Sequence, residues 1–314
     1  MRTITLGESS LSCSRLAYGC WRIAGTQEPK EVTGERVAVG EAAILAAVEA
    51  GYTLFDLADV YCNGVCEAIF GQTLNERPGL RDKLLIATKC GIRRPGEPDH
   101  ESPYRYDFSA EHIVGSVEQA LGRLALETID LLMLHRPDWL CEPEEVARAF
   151  SQLKKDGKVR EFGVSNFRPS QVTLLQKACP MKLVVNQVEI SLARLDGFSD
   201  GTVDQCMTEK ITPMSWSPLA AGRLASGAPI SMQDPQHVRW QKMRDVLDVI
   251  ARNHAVSRTV IALAWLLKHP SGIVPIVGSI NPERIQDAAL AAEFELSREE
   301  WYRLLEAAYG QRLP

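Results

Sequence analysis

The length, composition and charge of the chain exclude several classes of protein. Its 314 residues are 45% hydrophobic and 24% charged, as in ordinary globular proteins, and its net charge of -5 gives no electrostatic basis for binding nucleic acid. No apolar run reaches the roughly 18 residues of a membrane-spanning helix, and the first ten residues lack the apolar stretch of a secretory signal. The eight cysteines have no metal-type spacing. We therefore expect a cytoplasmic protein with free thiols, no bound metal and no membrane or nucleic-acid partner.

Apolar runs and turn residues predict strands and helices that alternate along the chain. The first fifteen residues alternate weakly between polar and apolar around Gly7, which is typical of a small hairpin. Polar residues predict loops over 91–108 and 217–236. The predicted strands are 16–19, 52–55, 84–88, 129–134, 159–164, 183–188, 211–216 and 273–277. The predicted helices are 39–51, 67–74, 110–124, 143–156, 171–178, 200–209, 238–253, 257–269, 282–291 and 297–309.

This alternation predicts one particular α/β architecture. Strands separated by helices pair in parallel through right-handed crossovers. A doubly wound sheet would need a Gly-x-Gly-x-x-Gly motif after an early strand, and the sequence has none. Eight strand–helix units without a break in composition favour a closed (β/α)8 TIM barrel with an N-terminal β-hairpin, formed as a single domain by residues 1–314.

Chemically active residues follow the predicted strands. In a parallel barrel the carboxyl ends of the strands meet at one face, where a catalytic pocket is expected. Each residue alone has an ordinary explanation: Asp56 as a turn cap, Tyr61 as packing, and Lys89 as a solvated charge. Together they include a carboxylate, a phenol, an amine and an imidazole. The residues at these ends are Trp21, Arg22, Asp56, Tyr61, Lys89, His135, Ser165, Asn166, Gln187, Trp216, Ser217, Gly278 and Ser279.

Four of these side chains have the chemistry of a unit for proton transfer. A lysine buried beside Asp56 is expected to lower the pKa of the Tyr61 phenol below its reference value of about 10. A phenol with a lowered pKa can give a proton to a carbonyl oxygen as negative charge develops there. His135 can orient the same oxygen or assist the transfer.

Seven motifs follow one another along nearly the whole chain. They are YTLFDLADVY ending at Tyr61, IATK ending at Lys89, LHRPD ending at Asp138, GKVREFGVSNF ending at Phe167, NQVE ending at Glu189, WSPLAAG ending at Gly222, and VGS ending at Ser279. In this order they resemble the aldo-keto reductase family. The resemblance implies the barrel, a nicotinamide cofactor, and a catalytic tetrad of Asp56, Tyr61, Lys89 and His135, in which Tyr61 is the general acid in reduction and the base in oxidation.

The resemblance also implies the cofactor contacts. Ser165, Asn166 and Gln187 match positions that hold the nicotinamide carboxamide, and Trp216 matches the aromatic residue that stacks on the ring. Trp21 and Asp56 are expected beside them. The positions that match the pyrophosphate contacts are Ser217, Leu219, Gly222 and Arg223, and those near the adenosine are Gly278, Ser279, Arg284 and Asp287.

The adenosine end leaves the choice of cofactor open. Ser279 and Arg284 suit the 2′-phosphate of NADP, which is the cofactor we expect. Gly278, however, supplies no charge where relatives often have lysine, and Ala288 supplies no amide for the adenine, so NAD is also possible.

These residues predict an NADP-dependent oxidoreductase that reduces an aldehyde, ketone or sugar carbonyl to the alcohol, or the reverse. The alternatives are an NAD-dependent sugar or alcohol dehydrogenase and a cofactor-sensing barrel with little turnover. A metal-dependent hydrolase using Asp56, Asp59 and His135 would need a His-x-His pair on an early strand, which is absent. We expect a monomer or small homo-oligomer. The expected substrate walls, which favour a sugar or a carboxylate-bearing carbonyl, are Trp21, Arg22, Trp139, Arg194 and the segment 91–108.

Overall fold

Eight parallel strands close into a barrel in the computed structural model, which describes residues 1–313. The barrel strands follow one another around the barrel in chain order, and the last pairs with the first through Ile276 and Ala17. The predicted (β/α)8 barrel is therefore confirmed. The barrel strands are β3 (Ala17–Gly19), β4 (Leu54–Asp56), β5 (Leu85–Cys90), β8 (Ile129–Leu134), β9 (Val159–Ser165), β10 (Leu183–Glu189), β11 (Thr212–Trp216) and β12 (Val274–Val277).

Ten helices form the outer layer of the described residues and start where local signals favour them. Ser109 caps α3 by accepting a hydrogen bond from the His112 backbone N–H at 3.3 Å. Thr33 likewise caps α1, which therefore begins at Gly34, five residues before the predicted start. The helices are α1 (Gly34–Glu49), α2 (Val65–Asn75), α3 (Ala110–Leu124), α4 (Pro143–Lys155), α5 (Pro169–Ala178), α6 (Thr202–Glu209), α7 (His237–Asn253), α8 (Arg258–Leu267), α9 (Pro282–Ala289) and α10 (Arg298–Tyr309).

The predicted N-terminal hairpin covers the amino-terminal end of the barrel. Strands β1 (Thr3–Thr5) and β2 (Ser12–Ser14) pair antiparallel, and the Gly7 N–H between them donates to Thr212 Oγ1 at 2.8 Å. Gly7 has a φ of 53°, and a Cβ there would lie 2.9 Å from the Val184 backbone. Only glycine fits this close, left-handed turn. The hairpin therefore leaves the carboxyl ends of the strands as the open face of the barrel.

The segment 91–108 differs from its prediction as a plain loop. It contains a short antiparallel pair, β6 (Ile92–Arg93) and β7 (Arg105–Tyr106). Side chains add hydrogen bonds next to this pair. Arg93 Nε donates to Asp107 Oδ2 at 3.0 Å, and the Phe108 N–H donates to Asp138 Oδ2 at 3.0 Å. The segment is polar, so no apolar alternation marks the pairing in the sequence. The segment lies at the open face, because it directly follows the carboxyl end of β5.

One buried carboxylate ties β8 to its neighbours at the amino-terminal end. Asp130 is fully buried, and its Oδ2 accepts from the Ile86 N–H at 2.8 Å and pairs with Arg81 at 3.0 Å. Its Oδ1 pairs with Arg160 at 2.7 Å. A buried charge with several hydrogen bonds is stable only as long as all of its partners remain. The carboxylate thus links β5, β8 and β9.

We predict that Asp130→Ala destabilises the fold. The substitution leaves the Ile86 N–H buried without an acceptor and two arginines without a counter-charge, which is expected to cost about 2–5 kcal/mol. Equilibrium urea denaturation followed by circular dichroism measures the change in midpoint. Glu118→Ala, which removes the surface partner of Lys158, is the control and should leave the midpoint within error. Equal midpoints for the two variants would contradict this role of Asp130.

Candidate active site

The Lys89 ammonium lies at the centre of the open face and is saturated with acceptors. Lys89 is buried near the end of β5, and its Nζ lies 2.8 and 2.9 Å from the two Asp56 carboxylate oxygens. It also donates to the Leu57 carbonyl at 2.7 Å and to the Tyr61 hydroxyl oxygen at 3.0 Å. An ammonium has three protons, so this set uses all of them. Because Tyr61 accepts from Lys89, its own O–H proton is free to point elsewhere.

Burial decides the protonation state of the phenol. It raises the pKa of Tyr61, and although the Lys89 charge lowers it in part, the pKa lies at about 12. The prediction of a pKa below about 10 is therefore wrong, because the loss of water around the phenol outweighs the lysine. Burial alone would lower the pKa of Lys89, but Asp56 and Tyr61 raise it above its ordinary value. Near neutral pH the lysine is charged and the phenol keeps its proton.

The His135 imidazole faces Tyr61 and is neutral. It directly follows β8, and its ring centroid lies 6.0 Å from that of Tyr61 at an angle of 77°. Burial, and then the charges of Lys89 and Arg136, lower the pKa of His135 well below its usual range. Its Nδ1 is buried without a hydrogen-bond partner in residues 1–313. The four predicted catalytic side chains are thus brought together, with a neutral ring beside a protonated phenol.

Hydrogen bonds connect Asp56 to Gln187, and a second set connects the neighbouring strand end to Trp216. The Gln187 side chain on β10 donates to Asp56 Oδ1 at 2.7 Å, and its backbone carbonyl accepts from Ser165 Oγ at 2.9 Å. Asn166 Nδ2 donates to Ser165 Oγ at 2.8 Å, and Asn166 Oδ1 accepts from Trp216 Nε1 at 3.0 Å. The ring of Trp216 is therefore fixed at the edge of the same cleft.

A cleft of about 750 Å³ opens at this face and runs from Tyr61 to the start of α9. Thirteen of the fourteen predicted cofactor residues line it. These are Trp21, Asp56, Ser165, Asn166, Gln187, Trp216, Ser217, Leu219, Gly222, Gly278, Ser279, Arg284 and Asp287.

Three side chains predicted for the site point elsewhere. The guanidinium of Arg223 lies 5.5 Å from the Trp240 ring centroid and 3.6 Å from Asp234, outside the lining of the cleft. Trp139 is 84% exposed on the loop after β8. Arg194 pairs with Asp196 at 2.8 Å on the surface. The turns that aim these side chains away lie in loops, where the residue pattern does not reveal side-chain direction.

The cleft also contains residues that the sequence did not single out. Arg136 follows His135 directly and lines the catalytic end, which its place in the LHRPD run could have suggested. Ser226 and Thr259 line the far end, where the Ser226 N–H donates to Thr259 Oγ1 at 3.1 Å. These two come from a long loop and the start of α8, so no strand-end signal marks them.

The far end of the cleft, at the start of α9, fits a ligand that carries phosphates. Arg22 Nη1 donates to the Gly278 carbonyl at 3.3 Å, and a Cβ at residue 278 would lie 3.3 Å from that nitrogen. Because residue 278 is glycine, the Arg22 guanidinium has room beside it and supplies a positive charge that residue 278 lacks. Arg284 lies in the first turn of α9, which is capped by Asn281 at 2.9 Å. Two arginines and a helix N-terminus suit the phosphates of a dinucleotide.

The side chains of this face do not have the chemistry of a metal centre. Burial and the neighbouring Glu67 raise the pKa of Asp59 to about 8, which disfavours the ionised carboxylate that a metal ligand needs. Asp56 is engaged by Lys89 and Gln187. Across residues 1–313, no group of three or more His, Cys, Asp or Glu side chains is arranged to hold a metal ion.

In the same part of the chain no helix is both long and apolar enough to cross a bilayer.

Comparisons with known proteins agree with this geometry. The 6-dehydroglucose reductase of Novosphingobium aromaticivorans is 40% identical over 98% of this chain and 96% of its own length. That of Agrobacterium fabrum is 39% identical over the full length of both. The structure of a glycerol dehydrogenase from Gluconobacter oxydans matches with a TM-score of 0.86 at 26% identity, covering 99% of this chain and 97% of that one. The model of the Aldo/keto reductase family matches residues 15–308, and the chain therefore belongs to this family of NAD(P)-dependent oxidoreductases.

Proposed function

We propose that the protein reduces the carbonyl group of an aldehyde, ketone or sugar to an alcohol with NADPH, or catalyses the reverse reaction. The observation that carries the proposal is the hydrogen bond from Lys89 Nζ to the Tyr61 oxygen at 3.0 Å. In that bond the phenol oxygen accepts a hydrogen bond from the lysine. The hydroxyl proton of Tyr61 is therefore free to be donated to a group in the cleft. Tyr61 is then the general acid in reduction and the general base in alcohol oxidation.

The residues around Tyr61 support each part of this role. The nicotinamide cofactor, when bound, supplies the hydride. As Tyr61 gives up its proton, the Lys89 ammonium at 3.0 Å stabilises the phenolate that remains. Asp56 keeps the lysine charged and in place. Neutral His135 can donate or accept a hydrogen bond at the substrate oxygen without adding a second cation to the site.

The relatives narrow the substrate that we propose. Two proteins at 39–40% identity bear the name 6-dehydroglucose reductase, which describes the reduction of an oxidised sugar. The catalytic end of this cleft is lined by Trp21, Tyr104 and Trp216, whose faces suit the C–H groups of a sugar chain. We therefore propose a sugar aldehyde as the substrate class. We also propose a cytoplasmic location, which the eight free cysteines support.

We propose NADPH as the preferred cofactor. Ser279 and Arg284 both line the far end of the cleft and have donors that suit a 2′-phosphate, and Arg22 adds a second guanidinium at Gly278. The second candidate is an NAD-dependent sugar or alcohol dehydrogenase, because Gly278 itself supplies no charge and Asp287 contributes a carboxylate to the same end.

Tyr61→Phe is expected to remove the chemistry and keep the binding of the cofactor. Loss of the proton donor should lower kcat for sugar aldehyde reduction by about 10²–10⁴-fold, while NADPH still quenches the tryptophan fluorescence. Steady-state consumption of NADPH at 340 nm gives the rate. Tyr302→Phe, on α10 and outside the cleft, is the control and should match the wild type. If no carbonyl is turned over by the wild type although NADPH binds tightly, the cofactor-sensing alternative holds instead.

Arg284→Ala is expected to change the choice between the two cofactors. The loss of a charged contact to the 2′-phosphate should raise the Kd of NADPH by about 10- to 100-fold and leave the Kd of NADH as it was. Fluorescence titration of wild type, Arg284→Ala and the control Arg303→Ala with both cofactors measures this. Equal affinity of the wild type for NADPH and NADH would refute the preference for NADPH.

A further inference from the structure

The guanidinium of Arg136 lies in the cleft and has no hydrogen-bond or ion-pair partner among residues 1–313. The residue follows His135 and is partly buried at the catalytic end. In residues 1–313 no hydrogen bond or ion pair engages its five N–H donors. Arg94, by contrast, is engaged by the Val60 carbonyl, and Arg22 donates to the Gly278 carbonyl. A partly buried guanidinium that lines the cleft and has no protein acceptor keeps its donors available to a ligand.

Packing holds this guanidinium in a defined place. Its Cζ lies 5.5 Å from the ring centroid of Trp216, the range of a cation–π contact. Trp216 is in turn fixed by its hydrogen bond to Asn166 at 3.0 Å. The side chain is therefore not a free surface arginine. Its charge helps to lower the pKa of His135, and it lines the same cleft as the catalytic residues, where a substrate carbonyl would lie.

The neighbouring side chains offer the Arg136 guanidinium no free carboxylate, so we look to the substrate for its hydrogen-bond acceptor. The other side chains at this end are mostly aromatic or aliphatic, as in Val60, Ile92 and Tyr104. Asp56 is the carboxylate of this end of the cleft, and Lys89 and Gln187 already hold both of its oxygens. A carbonyl compound without a second oxygen would leave the guanidinium as it is. One that bears a hydroxyl or carboxylate near the carbonyl would satisfy it.

We propose that Arg136 is a specificity-determining residue, which binds an oxygen substituent of the substrate close to its carbonyl group. The proposal deepens the function proposed above and rests on it. It assigns to the enzyme a preference for hydroxylated or carboxylated aldehydes over plain alkyl aldehydes of the same length. An enzyme discriminates in this way when the wrong substrate, here a plain alkyl aldehyde, offers no hydrogen-bond partner to a polar group of the site.

Two matched pairs of substrates test the assignment. D-glyceraldehyde and propanal differ by hydroxyl groups, and succinic semialdehyde and butanal differ by a carboxylate. Arg136→Met keeps the apolar stem on Trp216 and removes the donors. It is expected to lower the ratio of kcat/KM between the oxygenated and the plain member by about 10- to 100-fold in at least one pair, mainly through a higher KM. The pair that responds identifies the substituent.

Controls separate this inference from the function on which it rests. Arg194→Met, on the surface outside the cleft, should keep the wild-type ratios, and Arg136→Lys should recover part of the preference because it keeps a charge. If both members of each pair fall together in Arg136→Met, or if neither falls, Arg136 does not select the substituent and the inference is overturned while the reductase function stands. If the wild type reduces none of the four aldehydes with NADPH or NADH, both are overturned.

Discussion

The burial of the Lys89 ammonium is the constraint on which the catalytic face depends. A buried cation must find an acceptor for each of its three protons, and here they come from Asp56, the Leu57 carbonyl and Tyr61. Asp56 and Leu57 lie at the end of β4, which pairs with β5 in parallel. Parallel pairing therefore brings charge and counter-charge together at one rim. The phenol completes the set, and its orientation follows from the lysine rather than from its own loop.

The same carboxylate extends the network across the barrel. Gln187 reaches Asp56 from β10, which stands opposite β4 in the closed barrel. Next to Gln187, Ser165 and Asn166 hold the indole of Trp216. The proton-transfer group and the residues expected at the nicotinamide, which are Ser165, Asn166 and Trp216, are thus both hydrogen-bonded, directly or in sequence, to Gln187. Loss of Asp56 would therefore disturb both groups.

The sequence predicts most of this architecture for an identifiable reason. Strands buried on both faces appear as apolar runs, and the chemical groups that follow them must meet in a closed parallel barrel. Position at the strand ends therefore predicts that Asp56, Tyr61, Lys89 and His135 meet at one face, and the family resemblance is what singles them out as a tetrad. The pKa of Tyr61 was not, because it depends on how completely the surrounding segments exclude water. That exclusion is a property of the packed site, which single residues do not reveal.

Loops account for the remaining differences. The β6–β7 pair has no apolar alternation, and the directions of Arg223 and Arg194 depend on turns and local ion pairs. For Arg136 the position next to His135 was visible in the sequence. The absence of a hydrogen-bond acceptor for its guanidinium among residues 1–313 was not. An unpaired donor can be recognised only when all of the surrounding acceptors are known. The features that set specificity are thus the ones that require the structure.

The most direct test of this account is the ionisation of Tyr61 itself. Tyrosine labelled with ¹³C at Cζ reports the charge of each phenol by NMR, and Tyr61→Phe assigns the resonance. A phenol buried beside Lys89, with a pKa of about 12, should show no change between pH 6 and pH 10. The protonated phenol would then be the form that donates to a carbonyl at neutral pH. A titration midpoint below about 10, the reference value for a free tyrosine, would contradict the account.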